Sequence, residues 1–219
     1  WRDTSADFLH RYTTPVNWKL LLCHLSDGQP GIGLEGIARR FFTREGAGRS
    51  FMYDYWLEPT YGTLNIGDSS VHPALRLDQD STELARYTGQ DQRARVAQWG
   101  VDAARRAGIA IDDDLDRVII LLNTPCDSGK APKKRVVFGA FFQEGLFQDE
   151  SFAAHEMGHA LGIGHGYSES TSICATGAAP GEYCDRYDIM SFRGATLTFT
   201  VREGSDPAAR DAAGSRCFT

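Results

Sequence analysis

The residues best equipped for chemistry sit together in one segment, His155-Glu156-Met157-Gly158-His159-Ala160-Leu161-Gly162-Ile163-Gly164-His165, which holds three of the chain's six histidines. On a helix, His155 and His159 leave the same face one turn apart. Two imidazoles so placed form a claw for Zn²⁺, with Zn–N at about 2.0–2.1 Å. Glu156 follows the first ligand, where its carboxylate can reach a water at the metal without ligating. Gly162 can adopt φ > 0 and let the chain leave the helix sharply. That turn returns His165 as third ligand. Three protein ligands leave a fourth position open, the pattern of a catalytic zinc site rather than a structural one. The competing reading is a helix whose histidines serve only packing or the surface. Gly162 and His165 at fixed offsets weigh against it.

Such a claw needs a helix, and the helix needs a scaffold. The acidic and hydroxyl residues Asp149-Glu150-Ser151 suit a helix N-terminus just upstream. Before it, apolar runs over Val16–Leu25, Arg117–Asn123 and Arg135–Gln143 predict strands. Short helices are expected over 36–43 and 50–57, and more strand over 63–66 and 71–77. Residues 91–107 give the longest helical pattern, with Val96, Trp99, Ala103 and Ala107 on one face and arginines on the other. Residues 1–15 read as an extended lead-in. Alternating strands and helices predict a mixed α/β lobe. After Gly166 the chain turns to small residues and turn formers, so a lobe boundary is expected there.

Composition removes several classes. The chain has 219 residues, 42% of them hydrophobic, enough to build a core. No apolar run nears the roughly 18 residues that span a bilayer. A net charge of −6 with no basic block excludes the usual nucleic-acid binder.

The five cysteines form no C-x-x-C pair. Cys174 and Cys184 flank a Gly-, Ala- and Pro-containing loop that a disulfide could close, the alternative being two unpaired thiols. Cys23, inside an apolar run, reads as a buried free thiol. Cys126 and Cys217 then remain as one of several pairings. A competing role for Cys126 is an inhibitory thiolate on the metal. The chain opens at Trp1 and reads as a mature or trimmed form, any leader lying upstream. Asp112, Asp113, Asp114 and Asp116 offer either a Ca²⁺ site or a solvated loop, and they lack EF-hand spacing. Asp185 and Asp188 offer calcium ligands or turn-forming hydrogen bonds. His10, His24 and His72 have no ligand-spaced partner, and Tyr167 either lines a cleft or packs.

The His155–His165 segment resembles the metzincin signature of zinc proteases. That resemblance implies a methionine turn beneath the metal, and Tyr187-Asp188-Ile189-Met190-Ser191 supplies Met190. Leu21-Leu22-Cys23, Tyr55-Trp56, Tyr61-Gly62, Ile119–Asn123 and Tyr183–Ser191 are further similar to gametolysin-like metalloproteases, a secreted branch. Cys184 stands where that family leads one to expect glycine. Other metzincins carry a tyrosine two residues after the turn methionine; here that residue is Phe192, which can neither ligate nor donate.

The resemblance implies one catalytic domain over 1–219, with an upper subdomain over 1–166 and a lower one over 167–219 bearing the Met-turn. The expected fold is α/β, a twisted mixed sheet with a backing helix and the zinc helix above a small irregular lobe. The expected activity is that of a secreted, monomeric zinc endopeptidase acting on extracellular or cell-wall proteins, with Glu156 as general base. Substrate is expected extended, paired to an exposed edge strand for which Arg135–Gln143 is the candidate. The alternative is a catalytically inactive zinc-binding recognition module. A zinc hydrolase of non-peptide bonds is a third reading, opposed by the Met-turn.

Overall fold

The structure, a computed structural model, describes residues 14–31, 33–49, 51–58, 60, 62–139, 150–166, 182 and 189–190. The chain divides into two compact units, Trp1–Glu150 and Ser151–Thr219. The division falls where the motif helix begins.

In the first unit the elements run β1 (Thr14–Pro15), β2 (Trp18–His24), α1 (Leu34–Phe42), α2 (Met52–Leu57), β3 (Leu64–Asn65), β4 (Ser70–Arg76), α3 (Ser81–Leu84), α4 (Gly89–Arg106), β5 (Arg117–Leu122), β6 (Gly129–Ala131) and β7 (Arg135–Gly139). The main sheet has the order β4-β2-β5-β7-β6. Its first four strands are parallel and β6 is antiparallel to β7. The fold is thus mixed α/β with a mixed sheet. Thr14–Pro15, the end of the expected extended lead-in, pair in parallel with Leu64–Asn65 as a small second sheet.

Parallel strands buried on both faces read as continuous apolar runs, and β2 and β5 do so. Leu20 pairs with Ile119, and Ile119 with Val136, all three fully buried. One face packs Leu21, Cys23, Val118, Ile120, Leu122 and Val137 against Val96, Ala97, Val101 and Ala104 of α4. The buried stripe of α4 includes the expected Val96 and Ala103, with Trp99 packed against the same core, while Ala107, the residue just past the helix, is exposed. Gly100 sets the closeness of that packing, since a Cβ there would lie 2.7 Å from Ile120 Cδ1. Elsewhere in the unit Phe42 of α1 stacks on Phe138 of β7, ring centroids 6.4 Å apart.

One expectation is overturned. The segment beginning at Arg135 is not a sheet edge, because β6 folds back and pairs Gly129, Lys130 and Ala131 with Val137, Val136 and Arg135. The reversal runs through a turn whose Lys133 takes φ 64°. Ser128 Oγ also accepts the Gly139 N–H, at 2.9 Å. The edges of this sheet are β4 and β6. Residues 140–143 lie outside the described residues.

The acidic loop has been taken up by the chain's own cations. Asp113 meets Lys133 Nζ at 2.6 Å, Arg105 Nη2 at 3.0 Å and Arg135 Nη2 at 2.5 Å. Asp116 pairs with Lys19 at 2.6 Å, and Asp112 accepts from the backbone N–H groups of Asp114 and Leu115. Both Asp113 oxygens and one oxygen each of Asp112 and Asp116 are thus engaged by the chain itself.

Cys23 and Cys126 are both free thiols. The pairing of Cys126 with Cys217 considered from sequence falls on a residue outside those described. Desolvation pushes both thiols up to about 12, so neither is a thiolate near neutrality. Cys174, Cys184 and Cys217 lie outside the described residues, as do His10, Tyr167, Asp185, Tyr187, Asp188 and Phe192. Of the remaining histidines, His24 is buried with Nδ1 on Leu25 O, and His72 Nε2 lies 3.0 Å from Ser70 Oγ. No helix among the described residues is long and apolar enough to cross a membrane.

Candidate metal centre

The motif helix, α5, spans Glu150–Ala160. It buries Ala153, Ala154, Met157 and Ala160, and with them Glu156, which is only 8% exposed. His155 and His159 stand on a partly open face.

The helix ends by a specific device. Ile163 N–H donates to Gly158 O at 3.0 Å and Gly162 N–H to His159 O at 3.1 Å, the paired bonds of a Schellman motif. The motif requires a left-handed residue, and Gly162 has φ 93°. A Cβ at this glycine would meet nothing within 4 Å, so dihedral strain rather than space demands glycine. The turn presents Ile163 O to His159 Nδ1, at 2.9 Å.

All three histidines are held through Nδ1. His155 Nδ1 donates to Ile189 O at 2.8 Å, and His165 Nδ1 to Glu182 Oε1 at 2.5 Å. Carbonyl and carboxylate oxygens only accept, so each Nδ1 carries the hydrogen, and in the neutral ring Nε2 keeps its lone pair. Those Nε2 atoms of His155 and His159 lie 3.0 Å apart. Two lone pairs at that separation repel unless a cation lies between them. For tetrahedral Zn²⁺ the expected N···N distance is roughly 3.3 Å, from Zn–N of about 2.0–2.1 Å. One ligand atom from each histidine falls within 4.8 Å of the others, so His155, His159 and His165 form a group able to hold a metal ion. The donor set fits zinc: three neutral imidazoles, each second nitrogen anchored. Burial holds His159 below the usual histidine range, against opposing effects of its bond to Ile163 and the Glu156 charge. The neutral, ligating form is thereby favoured.

Met190 is buried, 2% exposed. Its carbonyl accepts the Gly166 N–H at 2.9 Å, and the preceding Ile189 supplies the acceptor for His155. The 189–190 turn thus touches both the helix and the loop carrying the third histidine. Among the described residues, Glu182 is the one site residue that sequence reasoning missed. It follows no spacing rule relative to His165, and only the fold brings the two together.

No protein-family model and no curated protein sequence matches the chain. Among solved structures, OgpA from Akkermansia muciniphila overlaps at TM-score 0.46 and 14% identity, over 71% of this chain and 50% of that one. This chain thus spans half the length of that neighbour. Archaemetzincin from Methanopyrus kandleri overlaps at TM-score 0.36 and 19% identity, over 80% of this chain and 81% of that one. At these scores neither overlap bears on function, which rests on the site's own geometry.

Proposed function

We propose that the chain is a zinc-dependent endopeptidase of metzincin type, similar to the gametolysin-like branch and working outside the cell as a monomer. The observation that carries this reading is the convergence of three Nδ1-anchored histidines beside a buried glutamate. Zinc, when bound, supplies Lewis-acid polarisation of the scissile carbonyl and of a water. His155, His159 and His165 would hold it. The Glu156 carboxylate takes a proton from the attacking water and returns it to the leaving amine nitrogen. Burial of Glu156 keeps that proton from bulk solvent between the two transfers. The substrate is an extended segment of an extracellular or cell-wall protein.

The test is digestion of casein by purified protein, with and without a chelator, beside Glu156→Gln. Wild type should cleave, stop on chelation and recover with zinc. Glu156→Gln should retain one zinc and its fold while losing at least about a hundredfold in rate. Zinc binding without cleavage by wild type would instead establish a recognition module. Near-normal turnover by the variant would show that another group activates the water.

A further inference from the structure

The three histidines are anchored unequally. His155 and His159 sit on α5, where backbone geometry already fixes their Cα–Cβ directions, and each Nδ1 donates to a neutral carbonyl. His165 lies beyond the helix, past three exposed residues, Gly162, Ile163 and Gly164, with no regular element to aim it. Its Nδ1 alone is held by a carboxylate, Glu182 Oε1, at 2.5 Å. Glu182 is itself largely shielded, its side chain 18% exposed against 26% for His165.

We propose that Glu182 is a positioning residue for the metal site, fixing the ring plane and tautomer of His165. This rests on the zinc reading above and extends it to a residue outside the motif. A charge-assisted hydrogen bond is roughly twice as strong as a neutral one, and it falls on the one ligand of the three that lies beyond the helix. The carboxylate also adds a negative charge, beyond that of Glu156, beside rings that would hold a dication. Carboxylate–histidine–metal pairs of this kind typically govern affinity by 10–100-fold when broken.

The experiment is competition for zinc against a chromophoric chelator, using the full chain as wild type, Glu182→Ala, Glu182→Gln, His165→Ala and the double variant Glu182→Ala/His165→Ala. Glu182→Ala should weaken zinc about 10–100-fold. Glu182→Gln, which keeps the shape and an accepting oxygen but not the charge, should weaken it less. In the His165→Ala background, removing Glu182 should change zinc affinity less than twofold, because its effect passes through His165. A merely structural Glu182 would weaken zinc equally in both backgrounds, and that result overturns the proposal. So does a Glu182→Ala protein within twofold of wild type. If Glu182→Ala fails to fold, Glu182→Gln carries the same comparison against wild type and in the His165→Ala background. Failure of wild type to bind zinc at all would sink the underlying metal reading instead, and is seen in the first arm.

Discussion

Two polar clusters in this chain solve opposite problems. Around Asp113, one carboxylate collects three cations, Lys133, Arg105 and Arg135. Around His155, His159 and His165, three acceptor-bearing rings are collected, each fixed from behind by an oxygen. The first cluster receives its counter-charge from the chain and is closed. The second turns lone pairs toward one point and takes its counter-charge from a metal ion on the reading proposed here. A group of like ligands, each anchored on its far side, points to a ligand far better than a group of charges does. Acidic side chains alone, as at Asp113 and Asp116, are satisfied by neighbouring lysines and arginines.

The largest expected effect comes from taking the metal away. A ligand at 1,000 times its Kd stabilises the bound state by about 4 kcal/mol. Amide exchange over residues 155–163 should therefore quicken on zinc removal, by up to about a thousandfold under those conditions. Amides of residues 112–116, whose charges the chain balances itself, should hold their rates. Mass-spectrometric exchange with and without chelator reads both. Equal change in the two segments, or none in the first after confirmed loss of zinc, breaks the distinction between open and closed clusters.

Much of this was legible in sequence for a physical reason. Strands β2 and β5 announce themselves because strands covered on both faces must be continuously apolar, as Leu20–Leu22 and Val118–Leu122 are. The claw and its Gly162 exit are legible because helix periodicity and a positive φ are local properties. Strand β6 is not: Gly129-Lys130-Ala131 has no strand propensity and is extended only because it pairs with Arg135–Val137. That hidden pairing is why Arg135 looked like the start of an edge. Glu182 and the Asp113 cluster escape for the same cause. Each depends on side chains distant in sequence, and spacing carries no trace of them.

The second effect in size concerns the closed cluster. Arg135 is 5% exposed and has Asp113 as its ionic partner, with Gln98 Oε1 accepting from Nη1 at 3.0 Å. Asp113→Ala leaves that buried guanidinium without its carboxylate. The cost should be about 1–3 kcal/mol, below that of a fully buried pair, because Asp113 and its lysine keep some contact with water. Urea unfolding measures it. A loss within about 0.3 kcal/mol of zero would mean that water replaces Asp113 without penalty.

The smallest effect is the pH dependence of the same cluster, and its sign is fixed. Lys133 first, then Arg105 and Arg135, hold the Asp113 carboxyl well below the ordinary carboxylate range. In the unfolded chain the group returns to about 3.9. A folded-state pKa below the unfolded one means the unfolded chain binds the proton first as pH falls. The stabilisation is thus fully present above the unfolded value and is progressively lost once pH drops below about 4. Asp113→Asn, which removes the charge at every pH, should lag wild type by its full margin at pH 6–7. The two proteins should converge as pH falls toward 3. Paired urea midpoints at those two pH values test this, each variant against wild type in the same buffer so that other carboxylates cancel. A margin that is constant, or that widens in acid, would mean that Asp113 stabilises the fold through its shape and hydrogen bonds and not through its charge.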